Sequence, residues 1–140
     1  MAKLHLLKLC VGVERPEHLR EWHIQRLAAA KELHHTTRMW PRRDAEILDG
    51  GSLYWVMKGA IQARQQIERL DEVTGADGIR RCKIVLHRDL IRVASTPKRA
   101  FQGWRYLDDA DAPRDLGLVG GIEDDLPDQL RNALEEIGVL

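Results

Sequence analysis

The chain has 140 residues, 22 Lys+Arg against 22 Asp+Glu, and 44% apolar residues. That length suits one domain with its own core, and the composition excludes a disordered or collagen-like polymer. No apolar run reaches the roughly 18–20 residues of a membrane span, and the N-terminus soon turns charged without a small-residue cleavage site, so it reads as a buried strand and not as a signal peptide.

Leu4 to Val13 is the first predicted strand. Pro16 opens a helix, with Glu14 and Glu17 at its positive end. Leu19, Trp22, Leu27, Ala30 and Leu33 recur at helical spacing and predict one buried face, with Trp22 in the core. The pattern fades at His34 and His35. Thr36 to Gly51 reads as a loop with a helical turn around Ala45 to Leu48 and an Asp-Gly-Gly turn at Asp49 to Gly51. Ser52 to Met57 (SLYWVM) is a strand, with Trp55 in the core, and Lys58-Gly59 is a tight turn. Ala60 to Val73 is read as a strand that hairpins back, with Ile61, Ala63, Gln65, Ile67 and Arg69 on one face; its helical alternative has no apolar stripe.

Thr74 to Gly78 (TGADG) is the next turn, and Ile79 to His87 is a strand with Cys82, Ile84 and Leu86 on one face. Leu90 to Ala94 is a further short strand, and Ser95 to Lys98 a loop. Ala100 to Leu107 is an aromatic stretch, and Asp108 to Gly121 wraps over the surface. A last helix opens near Pro127, with Leu130, Leu134 and Ile137 as its stripe. The sum is an α+β fold: a small bent or closed antiparallel β-barrel with an N-terminal and a C-terminal helix. It is one domain over residues 1–140, in which 108–140 is an acidic wrapping segment and terminal helix.

The zero net charge hides an asymmetry. Residues 1–106 carry 20 Lys+Arg and 12 Asp+Glu, whereas residues 107–140 carry 2 and 10. A basic body with an acidic tail suits a polyanion-binding surface, but charge alone favours a tail that docks on the body and neutralises it. The six histidines show no zinc-like spacing, and neither Cys10 nor Cys82 lies in a C-x-x-C pair. There is no nucleophile elbow, P-loop or dinucleotide fingerprint, so no catalytic residue, metal or cofactor is assigned. With two cysteines and no export signal, the expected compartment is the cytoplasm with both thiols reduced.

The informative constellation joins arginine to indole in two places, Thr37-Arg38-Met39-Trp40-Pro41-Arg42-Arg43 and Pro97-Lys98-Arg99-Ala100-Phe101-Gln102-Gly103-Trp104-Arg105-Tyr106. Guanidinium groups contact phosphates or stack on bases, and an indole offers a flat platform for a nucleobase. Arg38, Arg42, Arg43, Lys98, Arg99 and Arg105 are the candidate phosphate or stacking contacts. Trp40 and Trp104 are the candidate platforms, and Gln102 the candidate base-edge reader. The competing reading makes Trp40 and Trp104 core or lid residues and pairs the arginines with Asp108, Asp109, Asp111 and Asp115.

T-R-M-W-P-R-R, G-G-S-L-Y-W-V-M-K-G and Q-G-W-R-Y-L with D-A-P-x-D-L together resemble a bacterial family, typical of alphaproteobacteria, defined as a domain of unknown function. That resemblance spans essentially the whole chain and implies no activity. A second resemblance is at the level of fold. The basic T-R-x-x-P-R loop, the G-G-S-L-Y-W-V strand and the I-Q-A-R-Q-Q-I-E-R-L strand look like the opening of the pseudobarrels of the PUA (pseudouridine-synthase-associated), ASCH and EVE domains. It implies a PUA-like barrel that binds RNA or a modified nucleobase in a cleft. Some ASCH-like members are amidohydrolases using a Lys, a Thr and a Glu; Lys31, Thr37 and Glu68 or Glu72 are present here, but at spacings that do not match, and those roles are not carried over.

The preferred expectation is a cytoplasmic module that binds RNA or a nucleotide-like small molecule in a cleft lined by Arg and Trp, with no membrane contact. Two alternatives stand beside it: a small enzyme acting on a modified nucleoside in the same cleft, and a protein-interaction domain, homodimeric through the aromatic loop.

Overall fold

Strand Leu4–Leu9 (β1) is buried at four consecutive positions, Leu4 to Leu7, so both of its faces are covered there. The chain then turns at Gly12 and enters helix Pro16–Ala29 (α1), with proline at the first helical position, Glu17 in the first turn and Arg26 in the last. The computed structural model describes residues 3–29 and 32–119. The predicted C-terminal helix therefore lies outside the described residues.

After α1 come strand Leu33–Thr37 (β2), the short helix Asp44–Leu48 (α2), strand Ser52–Met57 (β3) and the long strand Ala60–Thr74 (β4). Strands Arg80–Leu86 (β5), Ile91–Pro97 (β6), Trp104–Asp108 (β7) and Asp115–Leu118 (β8) complete the order. The turn between β3 and β4 has two residues, Lys58 and Gly59, at φ 48° and 78°. Two positive φ values give the turn a twist that matches that of paired strands.

The sheet runs β2-β5-β4-β3-β1-β7, with β6 paired to β4 and β8 to β6. The α+β class holds, but the sheet is mixed, not antiparallel: β1 and β3 are parallel, Leu6 beside Leu53 and Leu9 beside Val56. The crossover from β1 through α1, β2 and α2 makes that pairing, and no hairpin signal in the sequence encodes it. Nor is the sheet closed into a barrel. β2 and β7 stand at opposite ends of the strand order and share no backbone ladder.

Two bulges bend β4. Opposite β3, Trp55 pairs Ala63 but Val56 pairs Ile61, so Gln62 is extra. Its side chain donates to the Met57 carbonyl at 2.6 Å. Opposite β5, Ile67 pairs Leu86 but Arg69 pairs Val85, so Glu68 is extra. Each bulge reverses which residues face inward. Ile61 joins Leu7, Tyr54, Val56, Val93 and Leu107 in a smaller core, whereas Ala63 and Ile67 belong to the main core with Leu6, Leu53, Trp55, Met57, Cys82 and Ile84. Past Glu68, Leu70 packs inward and Arg69 points out to Glu32 and Asp71. Strict alternation placed Arg69 on the same face as Ile67, and the second bulge is why it is not.

Gly51 fixes where α2 meets the sheet. A Cβ there would lie 2.3 Å from the Ile47 and Leu4 carbonyl oxygens. Its amide donates to the Ile47 carbonyl at 2.8 Å, and its carbonyl accepts from Ile67 at 3.0 Å. Other local differences have simple causes. β1 ends at Leu9, earlier than the predicted Val13, because Gly12 turns the chain. Leu33, His34 and His35 are strand, not helix end or loop, because their partner β5 supplies the ladder that their own propensity does not. Ser95 to Pro97 extend β6 in the same way, against β4. Trp22 is 44% exposed, since α1 buries Pro16, Leu19 and His23 instead.

Candidate functional site

The two arginine-indole segments approach each other because the sheet curls its end strands together. Trp104 Nε1 donates to the Met39 carbonyl at 3.0 Å. The Arg43 amide donates to Tyr106 Oη at 3.2 Å, and the Arg43 guanidinium lies 5.6 Å from that ring's centroid. Trp104 and Tyr106 meet edge to face, 4.8 Å apart. Side chains thus join the loop after β2 to β7 where the backbone ladder is missing.

Strand alternation divides the rest of the constellation. Trp104 and Tyr106 share the face of Lys8 and Leu6, whereas Arg105 shares that of Leu7. Arg105 and Lys98 therefore reach Phe101 on the opposite face, 5.5 and 6.0 Å from its centroid. Arg99 and Gln102 are exposed on the connection from β6 to β7. They meet no side-chain partner among the described residues.

On the first loop, Arg38 and Trp40 line one hollow of about 470 Å³ with Glu72, Arg80, Arg81 and Cys82. Trp40 is 39% exposed, and its Nε1 donates to Asp44 Oδ2 at 3.1 Å, which fixes the indole. The buried Pro41 anchors the backbone behind it. Arg80 is held by both carboxylate oxygens of Glu72 at 2.8 Å, and Arg81 by Asp77 at 2.7 Å. Arg38 and Arg42 have no carboxylate partner among the described residues. Arg43 does: Glu46 binds its Nε at 2.5 Å and its Nη2 at 3.0 Å, and raises the already high guanidinium pKa further. Arg43 is thus paired locally, whereas Arg38 and Arg42 are not paired with a carboxylate among the described residues.

The predicted clasp between arginines and the acidic stretch exists with other members. Arg64 takes both oxygens of Asp115 at 2.7 Å and also donates to Ser52 Oγ at 2.8 Å. The Asp115 carboxyl is held below the usual carboxylate range chiefly by that hydrogen bond from Arg64. His5 accepts from the Ser52 amide at Nδ1, 3.0 Å, so its proton sits on Nε2 and is donated to Asp109 at 2.8 Å. Both ring nitrogens are thereby occupied in tying residues 109–115 to the sheet, and neither is free as a general base.

Sequence reasoning missed a second polar cluster. Lys8, Cys10, Trp22, His23, Arg26, His34, His35 and Trp55 line a cavity of about 200 Å³ together with Leu9, Val11, Leu19, Leu33 and Leu86. Behind it, Trp55 Nε1 donates to Gln65 Oε1 at 2.9 Å, and Gln65 Nε2 donates to the His87 carbonyl at 3.1 Å. Desolvation lowers His23 and His35 to about 4, so both imidazoles are neutral near pH 7. Burial pushes the Cys10 and Cys82 thiols up to about 11, which removes their nucleophilic form at neutral pH. The available sequence signal was period-2 spacing: Leu33, His35 and Thr37 share one face of β2, which turns His35 inward.

Among the described residues no group of three or more His, Cys, Asp or Glu is placed to hold a metal ion, and no helix is long and apolar enough to cross a membrane. Of the amidohydrolase-like set, Lys31 lies outside the described residues, and Glu72 is engaged by Arg80.

The family assignment follows from the sequence as a whole. A family model described as a protein of unknown function, DUF1489, matches residues 6–140. The chain belongs to the DUF1489 family. Neither the curated proteins nor the solved structures contain a significant match to it.

Proposed function

We propose that this protein binds single-stranded RNA or a nucleotide-like anion at the hollow beside Trp40. The observation that carries this reading is a fixed, partly exposed indole in the same hollow as Arg38, a guanidinium with no carboxylate partner among the described residues. A base stacks on the indole, and Arg38 takes the adjoining phosphate. Arg42 follows two residues after Trp40 and takes the next phosphate. Arg80 and Arg81 are neutralised by Glu72 and Asp77, so they shape the wall and add little net attraction. A hollow of about 470 Å³ lies in the range of roughly 300–1,000 Å³ typical of sites for molecules of nucleotide size.

Fluorescence anisotropy with a labelled ten-nucleotide single-stranded RNA tests this. Two phosphate contacts give a log–log salt slope of about −1.4, at about 0.7 per neutralised phosphate. Trp40→Ala weakens binding about tenfold, and Arg38→Met reduces the slope by about 0.7. RNA binding that is absent at low salt, or unchanged in Trp40→Ala, overturns the proposal.

A further inference from the structure

The cavity beneath α1 differs from the hollow at Trp40 in size, wall and charge. It lies where the C-terminal end of β1, α1, β2, β3 and β5 meet, and five elements contribute side chains to it. Its walls are apolar and aromatic: Leu19, Leu33 and Leu86 with the indoles of Trp22 and Trp55. His35 stands edge-on to Trp55, 5.7 Å between centroids at 89°, and its ring nitrogens meet no hydrogen-bond partner among the described residues.

Two cations, Lys8 and Arg26, enter this cavity, and no carboxylate lines it. The hollow at Trp40 contains Glu72, and the one beside His5 contains Asp109 and Asp115. Lys8 and Arg26 have no ion-pair partner among the described residues. Burial lowers the Lys8 pKa, and the fields of Lys8 and Arg26 both reach His35 and Cys10. A half-buried ammonium without a counter-charge is costly unless an anion is brought to it.

The geometry points to a second binding site, in which the cavity beneath α1 takes a small aromatic carboxylate, its ring between Trp55, Trp22 and His35 and its carboxylate on Lys8 and Arg26. Aromatic rings prefer the offset and edge-to-face contacts that these walls offer. The Arg26 fork and the Lys8 ammonium complement the two oxygens of a carboxylate. A cavity of about 200 Å³ is below the roughly 300–1,000 Å³ of drug-sized sites, so the occupant is one or two fused rings and not a nucleotide. Gln65 holds Trp55 from behind, so the site is formed before the ligand arrives.

Isothermal titration calorimetry with 2-naphthoate tests this, with 2-naphthamide and inorganic sulfate as controls. The naphthoate binds at least tenfold more tightly than the naphthamide, and sulfate alone gives no measurable heat. Lys8→Met brings naphthoate to the level of the amide, and Lys8→Arg keeps it. Trp40→Ala leaves naphthoate binding unchanged, which separates this site from the RNA hollow. Equal binding of acid and amide, no binding of naphthoate, or its loss in Trp40→Ala overturns the inference. If Lys8→Met does not fold, Arg26→Gln, at the partly solvated mouth of the cavity, decides: unchanged naphthoate affinity overturns the inference, and a loss of at least fivefold supports it.

Discussion

The two cavities of this protein use tryptophan in opposite ways. At the loop after β2, Trp40 is fixed by one hydrogen bond to Asp44 and stands in a wide, open hollow whose arginines are mostly matched by acids. Beneath α1, Trp55 is almost fully buried, and its indole N–H belongs to a chain that runs through Gln65 to the His87 carbonyl. The first environment can lose its indole with little harm to folding. The second cannot, because Gln65 Oε1 would be left without its buried donor. A tryptophan that folding does not need is the better candidate for a contact surface.

The largest expected difference between the regions appears on acidification. His23 and His35 titrate near 4 in the folded chain but near 6.5 when unfolded. The unfolded chain therefore takes up protons first as the pH falls. Stability is fully present above about pH 6.5 and is lost progressively down to about pH 4, by up to about 3 kcal/mol per histidine. Urea unfolding at a series of pH values reads this directly, and His35→Gln flattens the profile by one histidine's share.

Next in size is Trp55→Phe, which leaves Gln65 Oε1 without its buried donor and costs about 1–3 kcal/mol in denaturant unfolding. Trp104→Phe, which removes the link to the Met39 carbonyl at a solvent-facing position, costs about 1 kcal/mol by the same measurement. Smallest is Arg80→Gln. Its exposed pair with Glu72 contributes about 0–1 kcal/mol, and less at high salt. A Trp55→Phe variant as stable as the parent would remove the contrast between the two indoles.

Much of the local structure was legible in the sequence. Ser52–Met57 forms strand over its full predicted extent because branched and aromatic residues fill it, and Lys58-Gly59 and the TGADG segment turn where glycine permits. What was not legible depends on partners distant in sequence. Leu33–Thr37 is too polar to announce itself and becomes strand only beside β5. The bulges at Gln62 and Glu68 change which residues face inward without any glycine or proline to mark them. The parallel pairing of β1 with β3 depends on how α1 packs.

The candidate sites divide along the same line. Arg38 and Trp40 are two residues apart and share a hollow, as a local motif can. Lys98 and Arg105 belong to the same stretch as Trp104, yet alternation along β7 turns Arg105 to the other face. The cavity beneath α1 has no contiguous motif at all, since Lys8, Arg26, His35 and Trp55 come from four separate elements.

The place where β7 meets the loop after β2 behaves as a seam and not a weld. Two hydrogen bonds between side chain and main chain, each worth about 1 kcal/mol, join edges that elsewhere in the sheet are joined by whole ladders. Parting there costs far less than global unfolding, so amide hydrogens of the 38–43 loop exchange ahead of those in β3 and β4. Because Trp40 rides on that same loop, any molecule that grips its indole also tightens the seam.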